Sequence, residues 1–291
     1  MSLNQLEQVD WHMHSTQSDG ELSPSALMEH ASEVGLQALA LTDHDSTAGL
    51  QEAALRAAQL QIAVVSGVEI SSAWNNQDIH IVGLGVNPEH PGLQQFLAAQ
   101  MARRESRAKA IGERLEKLGY QGIYEKAAID APQGIPARPH FAQVLVEEGI
   151  CKDKKQAFQR FLAVAKPAYV KTNWPTVEQA VACIAEAGGV AVLAHPGRYK
   201  LTRTKLERLV AAFKAAGGQA LEVSVATHSP EVIQQLADFS VKYELYASQG
   251  SDYHGPSMAW VKLGRIPPLP SRCRPVSELL QPLNELTGST P

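Results

Sequence analysis

The sequence predicts an α/β protein, a closed or nearly closed parallel barrel carrying a helical insertion, on three observations. Short apolar runs alternate with helical patterns from the first residues onward. That rhythm lapses between residues 101 and 173 and then resumes. About seven strand candidates result, enough for a sheet to curl toward closure.

The run "QVDWHMH" reads as the first strand, followed by the helix "SPSALMEHASEVG", in which Ser23 caps, Pro24 suits the first turn and Gly35 follows the end. "LQALALTDHD" is a second strand, "STAGLQEAALRAAQ" a second helix, "IAVVSGVEISS" a third strand and "DIHIVGLGV" a fourth. Apolar residues on both faces of these runs imply a buried sheet. From residue 101 the chain turns helical and charged, with the bend "APQGIPARP". We read 101–173 as an inserted helical subdomain, a substrate lid, and 1–100 with 174–291 as the barrel. Helix and strand then alternate again: "TVEQAVACIAEAGG" with "VAVLAHP", "LTRTKLERLVAAFKAAGG" with "ALEVS", and "SPEVIQQLADFSVKYE" with "LYASQGSDYH".

With 291 residues, 44% of them hydrophobic, the chain can bury a large core. The formal charge of −4 provides no general basic field for gripping long duplex nucleic acid. Charge is nevertheless segregated. The insertion holds 14 Lys/Arg against 8 Asp/Glu, a net of +6, which leaves −10 on the remainder. Three cysteines without C-x-x-C spacing indicate neither a disulfide framework nor a thiolate zinc site. No apolar run is long enough to span a membrane, and a cytoplasmic location is expected.

Six of ten histidines lie on a predicted strand or at its C-terminal end: His12, His14, His44, His80, His195 and His254. Asp19, Asp43, Glu69 and Asp252 accompany them. In a parallel barrel the C-terminal strand ends converge, so residues far apart in sequence meet. In H-x-H on a strand both rings share one face, a chelating geometry, with Trp11 and Met13 turned toward packing. Imidazole and carboxylate without thiolate suit Mn, Fe or Zn. Apolar strands gain nothing from ending repeatedly in titratable groups unless something pairs them, so a polynuclear metal site is the reading. His30, mid-helix, and His90, in a loop, are read as structural, and Glu222 as a carboxylate supporting a ligand.

The motifs "DWHMHST", "SDG", "LTDHD", "GVEIS", "IHIVG", "AHPG" and "GSDYH", in this order, resemble the PHP (polymerase and histidinol phosphatase) superfamily over most of the chain. The resemblance implies a distorted (β/α)7 barrel. "SDG", "ARPHFA" and "SQGSDYH" are most similar to its branch of RNase AM-like exoribonucleases and nucleoside 3′,5′-bisphosphate phosphatases. Carried onto this chain, the resemblance implies His12, His14, Glu69 and Asp252 on one divalent metal and Asp19, His44 and His254 on a second. Glu69, His80 and His195 would hold a third, with Glu69 bridging. Asp19, where some members have histidine, makes the second site harder and favours Mn²⁺ or Fe²⁺ over Zn²⁺.

The expected activity is metal-dependent phosphoester hydrolysis, with Asp19, His44, Glu69 and His254 at its centre and two or three dications. The resemblance supplies Arg138 and His140 as phosphate contacts, Arg138 by a two-pronged grip, and His228 is a further candidate. The implied substrates are pAp-like nucleoside 3′,5′-bisphosphates or short 5′-phosphorylated RNA trimmed 5′ to 3′. Alternatives are a histidinol-phosphate phosphatase, a metal-dependent amidohydrolase or lactonase, and a catalytically silent module.

Overall fold

Asn75 and Asn76, a two-residue loop with both residues at positive φ (47° and 65°), set the sheet's main departure from a parallel barrel. This is the backbone of a tight hairpin turn, and asparagine tolerates it better than most residues. In the computed structural model, which describes residues 3–129 and 131–282, the turn folds β4 back antiparallel on β3. The expected parallel barrel is therefore corrected at one strand, β4, which runs antiparallel to both neighbours. Two residues cannot make the crossover that a parallel neighbour requires.

The strands are β1 (Val9–Asp10), β2 (Ala38–Leu41), β3 (Ala63–Trp74), β4 (Gln77–Leu84), β5 (Val190–Leu193), β6 (Ala220–Val225) and β7 (Tyr246–Gly250). They lie side by side in chain order. β1 to β3 are mutually parallel, β4 is antiparallel to both neighbours, and β5 to β7 are parallel again. Trp11 N–H donates to Gln249 C=O at 3.1 Å and Met13 bridges to Tyr253, which joins the first strand to the last and nearly closes the barrel.

The helices are α1 (Pro24–Glu33), α2 (Leu50–Gln59), α3 (Pro91–Lys117), α4 (Ile123–Ile129), α5 (Arg138–Glu147), α6 (Lys154–Ala157), α7 (Val177–Glu186), α8 (Arg203–Ala215) and α9 (Pro230–Lys242). Their starts are chemically marked. Ser23, Thr176, Thr202 and Ser229 each accept a backbone N–H of the first turn, satisfying donors the helix cannot.

Two compact units result, the chain up to Phe96 together with that from Pro175, and Leu97–Trp174. The barrel unit buries Trp11, Val65, Val82 and Val192 in one cluster and Met13, Leu27, Leu39 and Val64 in another. Trp11 and Met13 thus pack away from His12 and His14. The helical unit has its own core of Ile111, Leu115, Phe141, Leu145 and Phe161. Among the described residues no helix is long and apolar enough to cross a membrane.

Candidate metal centre

Backbone pairing beyond the regular strands lines up the polar residues. His14 N–H donates to Tyr253 C=O at 2.9 Å and Asp252 N–H to His12 C=O at 2.8 Å, setting His12 and His14 beside Asp252 and His254. Likewise, Asp45 N–H donates to Glu69 C=O and Glu69 N–H to Asp43 C=O, placing His44 beside Glu69. Because β4 runs backwards, its early residue His80 reaches the end of the barrel where the parallel strands finish. Asp19 returns through a turn closed by Gly20 N–H to Ser15 C=O at 2.9 Å. A Cβ on Gly20 would lie 2.4 Å from the His14 carbonyl oxygen, so only glycine fits.

Glu69 is the hub. Fully buried, its Oε2 lies 2.8 Å from His44 Nδ1, 3.3 Å from His14 Nε2 and 3.4 Å from His12 Nε2, and its Oε1 is 2.9 Å from both His80 Nδ1 and His195 Nε2. Asp252 Oδ1 is 3.1 Å from His14 Nε2 and 3.3 Å from His12 Nε2. Asp19 Oδ1 is 3.4 Å from His254 Nε2 and 3.7 Å from His44 Nε2.

Among the described residues, three groups have ligand atoms close enough to share an ion: His12, His14, Glu69 and Asp252; His14, Asp19, His44 and His254; and His44, Glu69 and His80. His195 joins the last through Glu69 Oε1. His12 Nε2, Asp19 Oδ1, His44 Nδ1 and Glu69 Oε2 are buried without a hydrogen-bond partner. His44 Nδ1 and Glu69 Oε2 are 2.8 Å apart, two lone-pair atoms close enough to face a common cation. The residues fit divalent metal.

Electrostatics agrees with this. Burial raises carboxyl pKa values, but it is overcome by His44 and His254 at Asp19, by His44, His80 and His12 at Glu69, and by His12, His254 and Arg198 at Asp252. All three carboxyls are held well below their usual range. Burial opposes charge on His14, yet Asp252 and Glu69 push it up to about 10. His12 and His254 are raised against burial in the same way, by Glu222 and Glu69 and by Asp19 and Asp252 respectively. At His44 burial wins and the pKa falls to about 4, and it also wins at His195.

Around this set lie residues that hold it. Glu222 accepts from His12 Nδ1 at 3.0 Å and from His195 N–H, fixing one ring and one backbone. A Cβ on Gly250 would come within 2.6 Å of Glu222 Oε1, so glycine clears that contact. Asp43 accepts Ser15 N–H, Ser15 Oγ and Ser18 Oγ, each at 2.7 Å, which anchors the turn before Asp19. His195 (φ 30°) and Asp252 (φ 53°) adopt left-handed backbone, strain that the surrounding pairing sustains.

Sequence reasoning missed Arg198, which pairs with Asp252 Oδ2 and donates to Thr227 Oγ1 at 3.0 Å. It also missed Tyr199. The available signal was their place just after His195 in "HPGRY". His228 is in the barrel unit, 8% exposed, its Nδ1 donating to Val223 C=O at 3.2 Å and its Nε2 buried without a partner. Burial lowers its pKa. Arg138 and His140 are in the helical unit, in the first turn of α5, where His140 Nδ1 accepts Ala137 N–H at 3.0 Å.

Known proteins match this arrangement. The PHP domain family matches residues 10–225. The chain is 42% identical over 273 residues to the 3′,5′-nucleoside bisphosphate phosphatase of Chromobacterium violaceum, covering 93% of this chain and 95% of that protein. It is 45% identical over 278 residues to the 5′-3′ exoribonuclease Rnm of Escherichia coli, covering 94% of each. The solved structure of an amidohydrolase from Chromobacterium violaceum, with bound sulfate and no metal, superposes with a TM-score of 0.89 at 40% identity, over 95% of this chain and 98% of that one. With its ligand-bearing strand ends and this similarity over nearly its full length, the chain belongs to the PHP domain family.

Proposed function

We propose that the protein is a metal-dependent phosphoesterase that cleaves the ester at the 3′ oxygen of nucleotides carrying a 5′-phosphate. It removes the 3′-phosphate of nucleoside 3′,5′-bisphosphates and trims short 5′-phosphorylated RNA from its 5′ end, in the cytoplasm. The observation that carries this reading is Glu69, a buried carboxylate within 3.4 Å of five imidazoles. The names of relatives at 42% and 45% identity support the substrate class.

His12, His14, Glu69 and Asp252 would hold one dication, Asp19, His44 and His254 a second, and Glu69, His80 and His195 a third. The oxygen- and imidazole-rich donor set favours Mn²⁺. Bound dications supply an activated water and neutralise phosphoryl charge. The chain itself orients the ligands through Glu222, and Arg138, His140 and His228 hold the substrate. Arginine's planar fork matches two phosphate oxygens, and the partnerless His228 Nε2 accepts a hydroxyl or amide proton.

The test is a side-by-side assay of pAp, a 5′-phosphorylated oligoribonucleotide and histidinol phosphate with Mn²⁺. Turnover of the first two is expected to dominate. Preference for histidinol phosphate would sink the nucleotide reading, and turnover of neutral esters or amides without phosphate release would point to amidohydrolase chemistry.

A further inference from the structure

We propose that Tyr199 is a positioning residue for the His80 and His195 side of the metal centre, acting through a single hydroxyl inserted into the β4–β5 ladder. The proposal rests on the reading of His80 and His195 as metal ligands. The register of β4 against β5 runs Leu84↔Val190 to Ile81↔Leu193, so the next pair is His80 opposite Ala194. In an antiparallel sheet such a pair exchanges two backbone hydrogen bonds. Only one is present here, Ala194 N–H to His80 C=O at 3.1 Å.

The other rung is replaced. His80 N–H donates to the Tyr199 hydroxyl at 3.0 Å, and that hydroxyl donates to Ala194 C=O at 2.9 Å. One oxygen thus accepts from one strand and donates to the other, so both backbone groups stay satisfied while the strands are held further apart than a direct bond would allow. Beyond this rung the chain leaves the sheet. His195 takes a left-handed backbone (φ 30°, ψ 53°), and its Nε2 comes to 2.9 Å from the same Glu69 Oε1 that His80 Nδ1 meets at 2.9 Å.

Tyr199 also reaches the ligand ring directly, its ring edge-on to His195 with centroids 5.6 Å apart. The short turn Pro196–Arg198, closed by Arg198 N–H to His195 C=O at 2.9 Å, returns the chain so that the Tyr199 ring meets that of His195. Among the described residues, the phenol's hydroxyl meets His80 N–H and Ala194 C=O and its ring meets His195. The effect of the hydroxyl is therefore local to one part of the cluster. Tyr199→Phe keeps the ring contact and removes only the oxygen, leaving His80 N–H and Ala194 C=O to close a direct rung or lose their partner. Either outcome shifts His80 relative to His195.

The experiment is equilibrium binding of Mn²⁺ to the full metal-free chain, with bound metal counted, for wild type, Y199F, H195Q and the double variant, alongside thermal unfolding of each metal-free protein. Y199F is expected to weaken one site at least about tenfold, the range found when a partner of a ligand is removed. That site should be the one H195Q abolishes, the double variant should be no worse than H195Q, and the melting point of metal-free Y199F should stay near wild type. Wild-type metal binding by Y199F would overturn the proposal. So would equal weakening of every site with a lowered melting point, an effect that adds to that of H195Q, or unchanged metal content in H195Q. A wild-type chain that shows the expected binding but turns over no nucleotide would overturn the proposed function and leave the role of Tyr199 standing.

Discussion

The barrel unit and the helical unit use their polar residues in opposite ways. In the barrel, His12, His14, Asp43, Glu69, Glu222 and Asp252 are buried, each held by named partners. The helical unit Leu97–Trp174 buries apolar Leu115, Phe141, Leu145 and Leu162 and leaves Lys109 and Lys126 in exposed pairs with Glu105 and Glu148. Such surface pairs are screened by water, so this charge does little to hold the unit together. Buried titratable groups are costly unless something compensates them; serines and a backbone N–H group do so at Asp43, and at Glu69 and Asp252 the surrounding imidazoles do so in a cluster able to bind metal. The barrel's buried polar residues cluster where they could bind a metal, whereas these charged pairs of the helical unit lie on its surface.

The largest effect is expected where the barrel's side of this contrast is concentrated. Glu69→Ala removes the oxygens that five imidazoles face and should abolish at least one metal and lower turnover by more than about 100-fold, beyond the usual cost of losing a ligand's partner. Metal analysis and turnover with pAp measure it. Full activity in this variant would end the bridging role of Glu69 and with it the contrast between the units.

A second, graded effect follows from protons. In the metal-free chain the neighbouring carboxylates push His14 up to about 10 and His12 well above its usual value, so both hold protons at neutral pH, and His254 is raised as well. A dication must displace them. Affinity for Mn²⁺ should accordingly climb as pH rises from 6 toward 9, by about tenfold per unit for each proton displaced, and fall as pH drops. Titration calorimetry in buffers of different ionisation heat counts the released protons. A pH-independent affinity with no proton release would mean that the metal does not enter among these imidazoles.

The same contrast explains what could be read in the sequence. His12, His14, His44, His195, Asp252 and His254 stood out because polar groups at the ends of apolar strands break a simple pattern, and backbone pairing then leaves them one place to go. The direction of β4 was also written locally, in Asn75 and Asn76, but the apolar run after them reads alike in either direction. Tyr199 and Arg198 were not legible. The partners of Tyr199 are a backbone N–H 119 residues away and a carbonyl inside the strand end, and Arg198 meets a carboxylate 54 residues on, contacts that carry no periodicity. Arg138 and His140 came from resemblance to a family motif, because a helix start rich in proline and arginine does not by itself distinguish a cap from a ligand contact.

The smallest effect belongs to the helical unit and is the sharpest test of the division of labour. Arg138 lies half-buried in the first turn of α5, and its guanidinium is a cation, not a metal ligand. If it grips a substrate phosphate, Arg138→Ala removes charge-assisted hydrogen bonds of about 1.5–3 kcal/mol, which corresponds to a KM for bisphosphates raised roughly tenfold to a hundredfold. Metal content should be unchanged and kcat much less affected than KM, the signature of binding lost equally in ground and transition states. The guanidinium's reach matters as much as its charge, so Arg138→Lys, which keeps the charge but loses the fork, should recover only part of the loss. Release of metal from Arg138→Ala would instead make the arginine part of the metal-holding framework, and the separation between a unit that answers to metal and one that answers to substrate would fail at the residue where it is most exposed to test.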